Sequence, residues 1–275
     1  MLKRYIIFLK KHPLITAAFV VVYAMVCIKT IRADSNFQEF ILRTLLCGAM
    51  VFFLYQISGE KTLLSYTNST WYVIKVAMGF WIFALPIGLL GLLLNAGQDA
   101  VPWNNIPLQT LATFLMFVFV GLFEEMAFRA VINDAIIYRF RDKKHVFLLS
   151  AVCCSLIFGA AHVVGADLSS PMAWAQAAGK TISCGVFGLA ILILYWKTRN
   201  IWACGIIHGV YDFLLSLSMC IFQSETKITY VVGDEFAKPV LVVYGITTLI
   251  ELFILLFVWR KVGRKIDFQE IRENW

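Results

Sequence analysis

Eight apolar stretches separated by short polar segments run along the chain: Pro13 to Ile28, Phe40 to Ile57, Trp71 to Leu94, Leu108 to Phe128, Val146 to Val164, Lys180 to Trp196, Ile201 to Phe222 and Val240 to Trp259. A helix needs about 20 mostly apolar residues to cross the hydrocarbon of a bilayer, and each stretch meets or nearly meets that length. Hydrocarbon offers no partners to backbone N–H and C=O groups, so each span is predicted to be a helix. The pattern predicts an all-α, polytopic membrane protein of about eight transmembrane helices, a single integral membrane domain over residues 1–275. With no soluble domain or internal repeat in view, the chemistry is expected in or at the membrane.

Composition agrees. The chain is 60% hydrophobic and 15% charged, against about 45–50% and about 25% in soluble domains. Disorder and a nucleic-acid-binding domain both fit poorly, despite a net charge of +7. The charge reads instead as topology. With a cytoplasmic N-terminus, 16 of the 24 Lys and Arg residues fall on inside segments, among them Lys3, Arg4, Lys10, Arg139, Arg141, Arg260 and Lys261. Short loops rich in Lys and Arg stay cytoplasmic, so both termini are expected inside, with the lipid bilayer as surroundings and a bacterial plasma membrane as the location. The run Pro13 to Ile28 has the outline of a signal peptide, but Lys29-Thr30-Ile31-Arg32 offers no small-residue cleavage site, and a retained first span is expected. The seven cysteines fall mostly inside apolar runs without CxxC spacing, as expected of buried thiols rather than disulfides or a zinc cluster.

Some residues break the apolar pattern. A charged side chain near the bilayer centre costs roughly 2.5 to 3.5 kcal/mol on insertion scales, which makes intramembrane ionisable residues functional candidates. The fourth stretch ends in Glu124-Glu125-Met126-Ala127-Phe128-Arg129, the fifth holds Phe158-Gly159-Ala160-Ala161-His162, and the seventh holds His208-Gly209-Val210-Tyr211-Asp212. Residues four apart share a helix face, so Glu125 is expected beside Arg129, His208 beside Asp212 and Phe158 beside His162. Glu124 is expected to point about 100° away from Glu125, free for chemistry. A buried glutamate can serve as a general base, and histidines across from it can donate to an oxyanion. That set suits water-mediated amide hydrolysis. Gly205 and Gly209 form a small-xxx-small pair that admits a close neighbouring helix.

In order and spacing, Glu124-Glu125-x-x-Phe128-Arg129, Phe158-x-x-x-His162 and His208-x-x-x-Asp212 resemble the motifs of the CPBP family of intramembrane proteases, also called the CAAX protease and bacteriocin-processing or Abi family. The resemblance covers a core at about 108–222. It implies that Glu124 activates the attacking water with help from His162, that His208 and Asp212 shape the oxyanion site, and that Glu125, Arg129, Phe128 and Phe158 support them. It also implies a membrane-associated or lipidated peptide or protein as substrate. CaaX-trimming members usually carry Asn at the position of Asp212. An ionised Asp cannot donate to an oxyanion, so Asp212 has to be protonated or to orient His208.

Other readings stay open. Two histidines with carboxylates also suit zinc, although HExxH is absent; no cofactor is the expectation, with zinc as the alternative. Intramembrane Glu and His also build proton-coupled transporters, and a scaffold that regulates a partner protein without cutting it would keep the same residues.

Overall fold

The computed structural model describes residues 7–8, 11–30, 35–58, 61–64, 66–222 and 230–274. Lys3, Arg4, Lys10 and Arg32, named above, lie outside them. Helices occupy all eight apolar stretches. In chain order they are α1 (Pro13–Thr30), α2 (Asn36–Ser58), a short α3 (Lys61–Leu64), α4 (Thr70–Leu94), α5 (Ile106–Glu125), α6 (Asp134–Phe140), α7 (Val146–Ala161), α8 (Pro171–Thr198), α9 (Ile201–Leu215), α10 (Asp234–Lys261) and α11 (Phe268–Asn274). A π-helical segment, Met126–Asn133, joins α5 to α6. Among the described residues the extended pairing consists of an isolated bridge between Ala100 and Phe222. The protein is thus an all-α polytopic membrane protein. Four helical segments are long and apolar enough to cross a membrane by length and composition: Thr70–Leu94, Trp103–Phe140, Pro171–Thr198 and Asp234–Lys265.

Two boundaries differ from the apolar pattern. Helix α8 starts at Pro171, well before Lys180, because Pro suits a first helical position and Ser170 Oγ accepts from the Ala173 amide at 3.0 Å. Helix α9 stops at Leu215, where the Ser216 amide bonds back to the Asp212 carbonyl at 3.1 Å, and the chain continues as a 3₁₀ turn, Leu217–Cys220.

The chain divides into two compact units, one of Met1–Val26, Val131–Lys197 and Ile228–Trp275, the other of Cys27–Ala130 and Thr198–Lys227. In the second unit α9 packs against α5 and α4, and α2 packs against α5. The α5–α9 seam is made of backbone. A Cβ on Gly121 would clash with the Gly209 amide and the Gly205 carbonyl, and one on Gly209 would clash with the Phe117 carbonyl and Val118 Cα. Polar groups then fix α9 along its length. Asn200 Oδ1 caps it by accepting from the Ala203 amide at 3.0 Å, and Asn200 Nδ2 donates to the Asn68 carbonyl at 3.2 Å. Trp202 Nε1 donates to the Leu63 carbonyl at 2.7 Å, and Trp81 Nε1 to the Ile207 carbonyl at 3.1 Å.

In the first unit a buried polar network anchors the start of α6. Asn133 Oδ1 accepts from Ser150 Oγ at 2.7 Å and from Trp196 Nε1 at 2.9 Å. Asn133 Nδ2 donates to Asp134 Oδ1 at 2.8 Å, and the Tyr195 hydroxyl donates to Asp134 Oδ2 at 3.0 Å. Paired donors and acceptors of this kind remove the penalty of burying polar atoms.

Candidate active site

The last turn of α5 delivers Glu124 and Glu125, and the glycine seam sets α9 against it at backbone contact. The imidazole of His208 lies between the carboxylates. His208 Nδ1 is 2.8 Å from Glu125 Oε1, while Nε2 is 3.4 Å from Asp212 Oδ2 and 3.7 Å from Glu124 Oε2. Adjacent residues on one helix thus reach the two nitrogens of one ring. The expected divergence of Glu124 from Glu125 is real as a helix angle, yet both carboxylates meet the same histidine from its two edges.

Glu125 is fully buried and Arg129 nearly so, with side-chain exposures of 0% and 1%. Arg129 Nε stands 2.9 Å from Glu125 Oε2, an ion pair whose angle is not that of a hydrogen bond. The i,i+4 pairing expected from the sequence is present, and Glu125 carries a second partner in His208. Because Arg129 lies in the π segment, it leaves Glu125 along a turn wider than an α-helical one. Glu124 differs: its side chain is 14% exposed, and its Oε2 is buried with no hydrogen-bond partner among the described residues. Asp212 is the most open of the set at 27%. Phe128 is a buried neighbour, 6% exposed.

His162 and Phe158 belong to the first unit. His162 is the C-cap of α7, its Nδ1 lies 2.9 Å from the Phe158 carbonyl, and the two rings meet edge to face at 4.9 Å. Its ring also lies 5.8 Å from that of Tyr230. Glu251 on α10 escaped the sequence reading, although it is a carboxylate inside an apolar run. It is 4% exposed, and Ser183 Oγ donates to its Oε2 at 2.8 Å.

With Nδ1–H committed to Glu125, the His208 ring is held in one orientation and one tautomer, the usual effect of a carboxylate behind a working histidine. The edge it offers outward is Nε2, beside Glu124 and Asp212. Such a set can move a proton between a carboxylate and an imidazole. Among the described residues, no group of three or more His, Cys, Asp or Glu side chains is arranged to hold a metal ion.

Residues 106–214 match the family model described as "Type II CAAX prenyl endopeptidase Rce1-like". Over that segment the chain is similar to this family. That segment contains α5 and all but the last residue of α9, and so every carboxylate around His208, and it bears out the resemblance to the CPBP and CAAX proteases. The description of that family model is of a prenyl endopeptidase. No curated protein and no solved structure matches the chain.

Proposed function

We propose that this Rce1-like protein is an intramembrane endopeptidase that hydrolyses a peptide bond of a membrane-associated or lipidated substrate, with Glu124 as the general base. The observation that carries the reading is the asymmetry around His208: one edge is bonded to the buried Glu125, and the other faces Glu124, whose Oε2 has no hydrogen-bond partner among the described residues. A carboxylate oxygen left without a donor in a buried site suits acceptance of a proton from water.

In this mechanism Glu124 takes a proton from the attacking water as its oxygen adds to the scissile carbonyl carbon. The carbonyl oxygen becomes an oxyanion, and His208 Nε2–H donates to it. Since Nδ1–H is held by Glu125, that donation requires the imidazolium form. Asp212, 3.4 Å from Nε2, supplies the compensating negative charge, so here Asp orients and balances His208 rather than donating. The intermediate collapses as the C–N bond breaks, and Glu124 returns its proton to the leaving amine. The family resemblance also implies a part for His162. The basic residues of the inside segments support both termini being cytoplasmic.

Glu124→Gln, His162→Ala and His208→Ala, assayed for cleavage of peptides from a membrane fraction, test the reading. Loss of cleavage in each is expected, and normal turnover in all three would end it.

A further inference from the structure

In the first unit the start of α7 and the ends of α8 and α10 leave between them a cavity of about 380 Å³. Phe147 and Ala151 come from α7, Ile193 and Trp196 from α8, and Trp259 from α10, and every lining side chain is aliphatic or aromatic. Helix α11 contributes Phe268, whose ring lies 4.6 Å from that of Phe147 and 6.0 Å from that of Trp196 between centroids. Arg272 holds α11 in place, donating through Nη2 to the Lys144 carbonyl at 3.0 Å with its guanidinium over the Phe147 ring. The turn that brings α11 back packs the Trp259 ring on the bare backbone of Gly263, where an added Cβ would clash. The volume lies in the range of small-ligand pockets, about 300–1,000 Å³.

The same end of these helices concentrates positive charge. Lys143 and Lys144 precede α7, Lys197 follows Trp196, and Arg260, Lys261, Arg264 and Lys265 come directly after Trp259. Lys197 Nζ donates to the Lys265 carbonyl at 2.8 Å, which ties the end of α8 to the turn after α10. Arg260, Lys261, Arg264 and Lys265 are exposed, and among the described residues none of them forms an ion pair. The acids that follow are engaged elsewhere or point to solvent. Asp267 accepts from the amides of Gln269 and Glu270 at 2.9 and 3.0 Å, Glu273 accepts from Gln269 Nε2 at 3.2 Å, and Glu270 is exposed.

We propose that the cavity binds an acyl chain of an anionic phospholipid whose phosphate is received by Arg264 and Lys265. Aliphatic and aromatic walls suit a hydrocarbon chain, and the cations at the same end suit a headgroup of net negative charge. A zwitterionic lipid brings its own cation to that rim. Tryptophans near span ends sit at the level of lipid headgroups, where anionic lipid attracts Lys and Arg. Cavity and charge together select a bound lipid from the bulk bilayer. The site lies wholly in the first unit and uses no residue of the proposed peptidase mechanism.

The probe is phosphatidylglycerol brominated on its acyl chains, which quenches the tryptophans it touches. It is titrated into the full chain in phosphatidylcholine vesicles, beside brominated phosphatidylcholine. Quenching by phosphatidylglycerol is expected to saturate at about a tenfold lower mole fraction. Trp259→Phe keeps the cavity wall and is expected to remove most of the saturable signal, and Ala151→Phe fills the cavity and is expected to abolish the binding. Arg264→Gln with Lys265→Gln is expected to bring phosphatidylglycerol to the level of phosphatidylcholine. Both of these side chains are exposed, so the double variant tests the headgroup even if Ala151→Phe fails to fold. Equal quenching by the two lipids would overturn the proposal, as would saturable quenching unchanged in Trp259→Phe or a preference that survives the loss of both cations. Displacement of phosphatidylglycerol by inorganic phosphate would overturn it too, because the site would then take the anion without the chain.

Discussion

His208 Nδ1 stands 2.8 Å from Oε1 of Glu125, a carboxylate with no exposed surface that also faces Arg129 at 2.9 Å. The chain Arg129, Glu125, His208 links the π segment to α9 through side chains alone. Removing one member of a buried ion pair strands the other charge and costs about 3–5 kcal/mol. Glu125→Ala and Arg129→Ala are each expected to lower stability by about that amount, and the double variant to lose clearly less than both together. Thermal unfolding in detergent measures this, and strict additivity would count against the coupling.

Glu124→Gln is expected to reduce turnover by about 10² to 10⁴-fold, the range for loss of a general base, while leaving the unfolding temperature nearly unchanged. The second half follows from structure: among the described residues Glu124 Oε2 makes no hydrogen bond for the substitution to break. Peptide cleavage beside a melting curve is the check, and a large drop in melting temperature would make Glu124 a structural residue.

Gly209→Ala places a Cβ against the Phe117 carbonyl and Val118 Cα. Overpacking of this kind costs about 1–3 kcal/mol, and here it would also push His208 away from the carboxylates of α5. A fall in both stability and cleavage is expected. Gly48→Ala on α2 is the matched control: nothing lies within 4 Å of its added Cβ, and Ala in a helix is favoured over Gly by up to about 1 kcal/mol. If the two substitutions behaved alike, the glycine seam would not be what holds the site.

Under the proposed mechanism, in which Glu124 activates water as a carboxylate, exhaustive dialysis against a chelator is expected to leave cleavage intact. Loss of activity that added zinc restores would transfer that role to the metal. Elemental analysis of the dialysed protein completes the measurement.

The helices within the eight apolar stretches were legible because hydrocarbon imposes one rule on a span, that backbone groups be satisfied internally. The i,i+4 relations of Glu125 to Arg129 and His208 to Asp212 were legible for the same local reason. What sequence spacing does not carry is how a neighbouring helix is rotated. That Glu124 and Glu125 meet opposite edges of His208 depends on the α5–α9 seam. The tryptophans show a second limit. Trp71 and Trp103 are exposed, as interfacial anchors are expected to be, but Trp81, Trp196 and Trp202 spend their indole N–H groups on Ile207, Asn133 and Leu63 inside the protein. Hydropathy sees the ring and not the donor. The start of α8 was missed because Ala, Gln and Gly dilute the apolar run between Pro171 and Lys180.

Gly121, Gly205 and Gly209 already present the smallest residue there is at the seam behind His208. Nothing remains there to trim, and any growth drives the helices apart. A designer who wished to enlarge or reshape the space around the carboxylates would have to work from the open side, at positions such as Asp212, because the back wall admits change in neither direction.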